Sequence, residues 1–264
     1  MNDKNKVELY NDLKEKYLNL YKQSEDLYKE NIHIYYDYNY TFGMYYYRRY
    51  NLYYLCEKNT KKIEIYTDKL MAGVEINTEF IEKELDKEFE ELLNKVNLIK
   101  NEYEQAIVFK NIPLMDEADL KELIELFIDI TKYIHPDVRS HDEVIKKLWQ
   151  RSVAAYRNND IEDLKICRTE IDELGLDIPS QDDIKIDYES RINDLKENIE
   201  ILTTKNTFLI NSFPYNQKEI LKSEELIINK IKAVEDDIKL FERRLANLEA
   251  IIEEFLNVNQ KYIC

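Results

Sequence analysis

The sequence predicts an all-α protein. Only 3 of its 264 residues are glycine and 4 are proline, whereas average usage near 7% would give roughly 18 glycines in a chain of this length. An all-β sandwich or barrel needs turn residues about every 8–12 positions, so this composition excludes one. Gly43, Gly73 and Gly175 are also too far apart to build a glycine-rich phosphate loop or a dinucleotide-binding motif.

The N-terminal region, residues 1–112, is predicted to be helical with coiled-coil character. Residues 7–56 carry apolar side chains at alternating spacings of three and four, with Ser24 and Asn31 at the missing positions. The apolar stripe consists of Tyr10, Leu13, Tyr17, Leu20, Leu27 and Ile34. Gly43 is expected to kink or end this helix. A shorter helix should cover residues 57–72, and a third, capped by Asn77 or Thr78, residues 79–109.

A tyrosine-rich stretch lies inside this region and offers two interpretations. Ten of the 20 residues from 35 to 54 are tyrosine. Aromatic rings interleaved with arginine can form a binding surface, and the candidate residues for one are Tyr45, Tyr46, Arg48, Arg49 and Tyr50. The alternative is that these tyrosines pack between helices with their hydroxyl groups at the rim. The second interpretation is favoured, because the stretch holds only two basic residues and the chain is acidic.

The middle of the chain, residues 113–176, is predicted to be a separate domain of three short helices. An amphipathic helix covers residues 118–134 and stops at His135-Pro136-Asp137, since proline disfavours helix in the residue before it. A second helix covers about 141–158. A third begins at Asp160, with Gly175 placed as its C-cap.

The C-terminal region, residues 181–262, is predicted to be an antiparallel coiled-coil hairpin. Its first arm carries an apolar stripe from Tyr188 to Leu202, and a turn containing Pro214 follows. In the second arm, apolar residues follow one another at alternating spacings of three and four over nine positions. These are Ile227, Ile231, Val234, Ile238, Phe241, Leu245, Leu248, Ile252 and Phe255. Pairing between the arms and pairing with a second molecule fit this pattern equally well.

The tripeptide His135-Pro136-Asp137, called the HPD loop below, is the motif with the clearest functional meaning. The composition of the chain predicts about 0.004 chance copies of it. Helix, HPD loop and helix, followed by the aromatic positions Trp149 and Tyr156, resemble a J domain, the module that DnaJ-type co-chaperones present to DnaK-type ATPases. The resemblance covers residues 127–156, from FIDITKYIHPDV to LWQRSVAAY. It includes Phe127 and Tyr133 in the helix before the loop.

This resemblance implies a non-enzymatic protein that engages a DnaK-type chaperone. The implied contact residues are His135, Pro136, Asp137, Lys132 and Tyr133, with Asp137 suited to a charge-assisted hydrogen bond with an arginine of the ATPase. The helix before the loop departs from the family. It carries two lysines against four acidic residues, where a J domain is basic, and this removes an attractive charge interaction. These residues are Lys121, Lys132, Asp119, Glu122, Glu125 and Asp129.

The alternative function is a coiled-coil scaffold or interaction protein that keeps a J fold without chaperone-ATPase activity. Exposure of the HPD loop at the tip of a helical hairpin would favour the co-chaperone. Packing of the loop against residues 1–110 or 181–262 would favour the scaffold. In either case the long helices could mediate homo-oligomerisation or partner binding.

Charge and composition narrow the remaining classes of function. The net charge of −16 repels nucleic acid, and the sequence contains no apolar run long enough for a signal peptide or a membrane span. Three widely spaced cysteines are typical of reduced thiols, so a cytoplasmic location is expected. We expect no metal at His135, Asp137 and His141, which lack further ligands. We expect no cofactor and no catalytic residues, since no nucleophile has a supporting base.

Overall fold

The computed structural model describes residues 3–111, 115–136, 143–177 and 188–263, and in these ranges the prediction of an all-α fold is confirmed. The helices are α1 (Asp3–Met71), α2 (Thr78–Glu88), α3 (Glu90–Lys110), α4 (Glu117–Ile134), α5 (Glu143–Arg157), α6 (Ile161–Glu173), α7 (Tyr188–Asn211), α8 (Lys218–Leu221) and α9 (Glu224–Ile263). A 3-10 turn, Tyr215–Gln217, precedes α8. No described helix has an apolar stretch long enough to cross a bilayer.

Helix α1 is a single helix of 69 residues. The expected end of the helix at Gly43 and the separate helix over residues 57–72 are therefore wrong. The physical reason lies in the packing at Gly43, where a Cβ atom would lie 2.9 Å from Cβ of Tyr103 in α3. Glycine is thus required by close approach of a neighbouring helix, and not by a break in its own. The helix ends before Gly73, whose φ of +66° suits glycine.

Side-chain caps satisfy backbone amides at the start of several helices. The Asn77 side chain accepts a hydrogen bond from the amide of Phe80, which confirms one of the two caps predicted for the helix over residues 79–109. The prediction of a single helix over those residues is wrong, because Phe89, with φ −99° and ψ 8°, separates α2 from α3. Asp116 caps α4 and Asp160 caps α6 in the same way. Each cap satisfies a backbone N–H that the helix itself leaves unpaired.

The chain forms two compact units, and α1 contributes to both. The first unit contains residues 1–30 and 113–211, and its main core is formed by α4, α5 and α6. The buried side chains of this core are Leu123, Phe127, Ile130, Ile134, Ile145, Leu148, Trp149, Val153, Ala155, Tyr156, Leu164, Cys167 and Ile171. All of them come from these three short helices, which therefore share one core.

The first arm of the predicted hairpin, α7, packs against the N-terminal part of α1 in the first unit. Tyr10 is buried with Ile192 and Leu195, and its ring meets that of Tyr188 edge to face at 5.6 Å. The predicted stripe of α7 is thus its packed face. Asn206, which lies four residues after the end of that stripe at Leu202, is also buried.

The second unit contains residues 31–112 and 212–264. Here α9 runs parallel to the second part of α1, because contacts advance along both helices together. Arg49 is paired with Asp237 at 3.1 Å, and further along the ring of Tyr66 meets that of Phe255 at 6.1 Å. All nine stripe positions of α9 are buried or half-buried. Tyr66 also joins a core with Ile76, Ile81, Leu85 and Ile252.

The contacts inside each unit therefore join each C-terminal arm to α1. The two arms, α7 and α9, belong to different units, and their pairing as an antiparallel hairpin over residues 181–262 stays a prediction. The predicted boundaries at residues 112 and 176 also stay predictions. The structure places residues 1–30 with the middle region, which the sequence pattern did not indicate.

Gly43→Ala should destabilise the protein although alanine has the higher helix propensity by about 1 kcal/mol. The added methyl group would press on the Cβ and ring of Tyr103, from 2.9 to 3.3 Å away, so α1 or α3 must shift. We expect a lower midpoint of urea denaturation for this variant.

The Tyr103→Gly background provides the control, since it removes both the Cβ atom and the ring of Tyr103 from the contact. There Gly43→Ala should cost clearly less stability, or increase it. An equal loss of stability in both backgrounds would show that the close approach is not the reason for glycine.

Candidate functional site

His135 and Pro136, the described residues of the HPD loop, lie at the tip of an antiparallel hairpin formed by α4 and α5. Helix α4 ends at Ile134, and His135 takes φ −56° and ψ 139°, the extended conformation that a following proline imposes. Away from the tip, the ring of Phe127 stacks on Tyr156 at 4.1 Å. At the tip, His135 meets Trp149 at 4.9 Å. These two ring pairs fix the antiparallel register of the helices.

His135 is buried by side chains from α1. It is only 1% exposed. Its imidazole meets the rings of Tyr17 and Tyr21 edge to face, with centroids 5.5 and 5.3 Å away. Tyr21 also contacts Trp149 at 5.7 Å. The histidine of the motif is therefore enclosed by three aromatic rings, two of which come from a distant part of the sequence.

The enclosure keeps the His135 imidazole neutral. Burial lowers its pKa from 6.5 to about 4, and the positive charge of Lys14 contributes in the same direction. Protonation would place a cation in an apolar site, which is energetically costly. At neutral pH the ring therefore acts as an aromatic packing group.

The other predicted contact residues lie in different environments. Pro136 is exposed at the tip, and Asp137 lies outside the described residues. Lys132 is exposed, with its ammonium group 3.5 Å from Asp129. Tyr133 is half-buried, and the guanidinium group of Arg168 lies 4.5 Å from its ring centre. The structure thus groups His135, Pro136, Lys132 and Tyr133 in the last turn of α4 and the residues that follow it.

A polar cluster joins α1 to the end of α5. Glu25 is 4% exposed in its side chain and accepts two hydrogen bonds from Arg157, at 2.6 and 2.9 Å. The hydroxyl group of Tyr156 donates to Asp26 at 2.9 Å, and the ammonium group of Lys29 lies 3.5 Å from the Tyr156 ring centre. Four charged residues, two acidic and two basic, are thus engaged at the base of the hairpin, opposite the HPD end.

Sequence reasoning missed this cluster and the role of the two tyrosines above the loop. Tyr17 does belong to the predicted stripe, which marks it as a packed residue. Tyr21 and Glu25 carry no such signal, because only the fold brings them to α5. The unusual feature that could have been noticed is a second aromatic residue one helical turn after Tyr17.

The acidic residues of α4 find basic partners on α6. Lys165 is paired with Glu122 at 3.1 Å, and Arg168 donates to Asp129 at 2.7 Å. The acidic helix before the HPD loop is thus partly neutralised inside the unit. The acidic side chains by which this helix differs from that of a J domain therefore include partners for the basic residues of α6.

The tyrosine-rich candidate surface is engaged within the second unit. Arg48 is paired with Glu242 and Arg49 with Asp237. Tyr46 stacks on Tyr38, and their hydroxyl oxygens are 3.1 Å apart. The two remaining candidates differ in exposure: Tyr45 is half-buried, whereas Tyr50 is 39% exposed. The arginines are therefore held by acidic residues of α9, and the choice between a binding surface and packing of the tyrosines stays a prediction.

Comparison with known proteins adds no assignment. No family model matches this chain, and neither does any curated protein or solved structure. Within the described ranges, no group of three or more histidine, cysteine or acidic side chains is arranged to hold a metal ion. His141, one of the residues considered for metal binding, lies outside those ranges. The geometry of the hairpin is thus the basis for any functional proposal.

The burial of His135 makes stability depend on pH in a defined window. The pKa is about 4 in the folded protein and near 6.5 when unfolded, so the unfolded chain binds the proton first. The contribution of the buried, neutral His135 to the free energy of unfolding is present in full above pH 6.5 and is lost as the pH falls toward 4. Between pH 7 and pH 5 the loss should be about 2 kcal/mol.

This loss is measured by urea denaturation at pH 7 and pH 5, with the parent protein compared against His135→Phe. Between pH 7 and pH 5, the free energy of unfolding should fall by about 2 kcal/mol more in the parent protein than in this variant. His33→Asn, at an exposed position of α1, is the matched control and should behave like the parent. The same decrease in the parent and in His135→Phe would contradict the assignment.

Arg157→Met should destabilise the protein by about 3 kcal/mol, because it leaves Glu25 buried without its cation. The double variant Glu25→Leu/Arg157→Met should recover most of this loss, since no uncompensated charge remains. Arg244→Met breaks the more exposed pair with Glu57, at 3.1 Å, and should cost less than about 1 kcal/mol. Equal costs for the two arginine variants would show that Glu25 is not effectively buried.

Proposed function

We propose that this chain is a non-enzymatic, J-domain-like co-chaperone or adaptor that engages a DnaK-type ATPase through the HPD loop. The observation that carries the proposal is the position of His135 and Pro136, at the tip of the antiparallel α4–α5 hairpin with Pro136 exposed. The resemblance in sequence and the hairpin geometry are independent supports. One concerns residue identity, and the other concerns the arrangement of the two helices.

The packing of the hairpin supports the proposal further. Phe127, Trp149 and Tyr156 are the aromatic positions on which the resemblance rests, and all three are buried in one core. Their rings stack at 4.1 and 5.8 Å. The motif residues thus have the structural role of aligning the helices on either side of the loop, and the loop is left at the end of a rigid support.

In this proposal the protein breaks and forms no covalent bond. Asp137 would make a charge-assisted hydrogen bond with an arginine of the ATPase. Lys132 and Tyr133 would add contacts from the last turn of α4. By binding one conformation of the ATPase more tightly, the protein would shift its equilibrium and so accelerate ATP hydrolysis. The exposed apolar residues of α9, such as Ile228 and Leu240, would serve oligomerisation or partner binding.

A second candidate function is a helical scaffold without chaperone-ATPase activity. The burial of His135 against Tyr17 and Tyr21 favours it, since packing of the loop on residues 1–110 was the feature expected of a scaffold. The loop therefore meets one criterion of each function: it lies at a hairpin tip, and its histidine is covered. Both candidates are non-enzymatic, and a cytoplasmic location belongs to both.

The test is single-turnover ATP hydrolysis by a DnaK-type chaperone from the same source, with the protein titrated to tens of micromolar. The co-chaperone should stimulate hydrolysis, and Asp137→Asn should abolish the stimulation. Asp194→Asn, which changes an exposed carboxylate of α7, is the matched control and should leave it unchanged. Absence of stimulation by the parent protein and by the variants with an uncovered loop described below would support the scaffold.

A further inference from the structure

The buried side chains of the α4–α6 core all belong to α4, α5 or α6, and α1 adds the partly buried Tyr21 at the edge of this core. The N-terminal segment of α1, residues 3–30 and called the cover segment below, lies on this bundle. If the segment leaves, no buried side chain of the core leaves with it, although Trp149 loses its contact with Tyr21 and Tyr156 its contact with Lys29.

The cover segment contacts the hairpin at both ends. At the tip, Tyr17 and Tyr21 enclose His135. At the base, Glu25 receives two hydrogen bonds from Arg157, and Asp26 accepts one from Tyr156. These contacts span the α5 side of the hairpin. A partner that must reach His135 cannot do so while they are in place.

We infer that the cover segment is an autoinhibitory element that hides the histidine of the HPD loop and must move before the loop can engage its partner. This inference rests on the proposed co-chaperone function and adds regulation to it. The observation behind it is the contrast at the loop itself: Pro136 is exposed and His135 is 1% exposed.

Two features make the contact suited to reversible opening. The base of the hairpin is held by charged and polar groups, which water can solvate once they separate. Arg157 is already 35% exposed in its side chain. The tip is held by edge-to-face ring contacts at 5.3 to 5.5 Å, which are modest individually. We therefore expect an equilibrium between states in which His135 is covered and uncovered. The smaller the uncovered fraction, the lower the apparent affinity for the partner.

Two independent variants uncover the loop in the full-length chain. Tyr17→Ala/Tyr21→Ala removes the rings above His135, and Glu25→Lys places a like charge against Arg157. The matched control, Tyr40→Ala/Tyr53→Ala, removes two tyrosines of α1 that are 49% and 36% exposed in the second unit. Circular dichroism establishes that each variant remains helical and unfolds cooperatively.

The first readout is deuterium exchange at the imidazole C2 position, measured for individual histidines by mass spectrometry. His135 should exchange much more slowly than the exposed His33 in the parent protein. It should approach the rate of His33 in both uncovering variants, with no change in the control. Unchanged slow exchange in both variants would overturn the inference, because the cover segment would not be what protects the ring.

The second readout is stimulation of the DnaK-type ATPase at a fixed, subsaturating concentration. Both uncovering variants should stimulate at least about fivefold more than the parent, within the usual range of allosteric coupling, and Asp137→Asn in the Tyr17→Ala/Tyr21→Ala background should abolish the effect. Equal stimulation by the parent protein and the uncovering variants would overturn the autoinhibitory role of the cover segment, while the proposed co-chaperone function would stand. Exposure of His135 without any stimulation would overturn the co-chaperone function and, with it, the autoinhibitory role.

Discussion

The enclosure of one imidazole by three aromatic rings is the contact on which the position of α1 against the α4–α5 hairpin depends. His135 must leave the helix because Pro136 follows it, and its ring then turns into the space between Trp149, Tyr17 and Tyr21. This position is favourable only while the ring is neutral. The same contact joins the tip of the hairpin to a segment more than a hundred residues earlier in the chain.

The charged residues of the first unit are arranged around that contact. Glu25 is almost completely buried, which is costly for a carboxylate unless a cation accompanies it. Arg157 supplies the cation in a bidentate geometry. A different register between α1 and α5 would leave the carboxylate buried without its cation, so the pair is selective for one register. Packing thus supplies much of the stability, whereas the ion pair restricts how the helices can align.

Helix type and helix faces were readable from the sequence, since they depend on local spacing. The nine-position stripe of α9 and the cap at Asn77 are examples, and both agree with the structure. Gly43 was misread because its cause is tertiary: the close approach of Tyr103 leaves no mark in local spacing. The partner of the HPD loop could not be predicted either, because Tyr17 and Tyr21 look like any packed pair on a helix. The motif identified the loop, and only the fold identified what lies on it.

Tyr17 and Tyr21 lie directly on the ring of His135. The decisive measurement of this contact is the nuclear Overhauser effect between aromatic protons, in full-length protein with selectively labelled histidine, tyrosine and tryptophan. We expect cross-peaks from His135 to both tyrosines as well as to Trp149, given centroid distances of 4.9 to 5.5 Å. A cross-peak to Trp149 with none to either tyrosine would contradict it, since the hairpin would then be intact and the histidine uncovered.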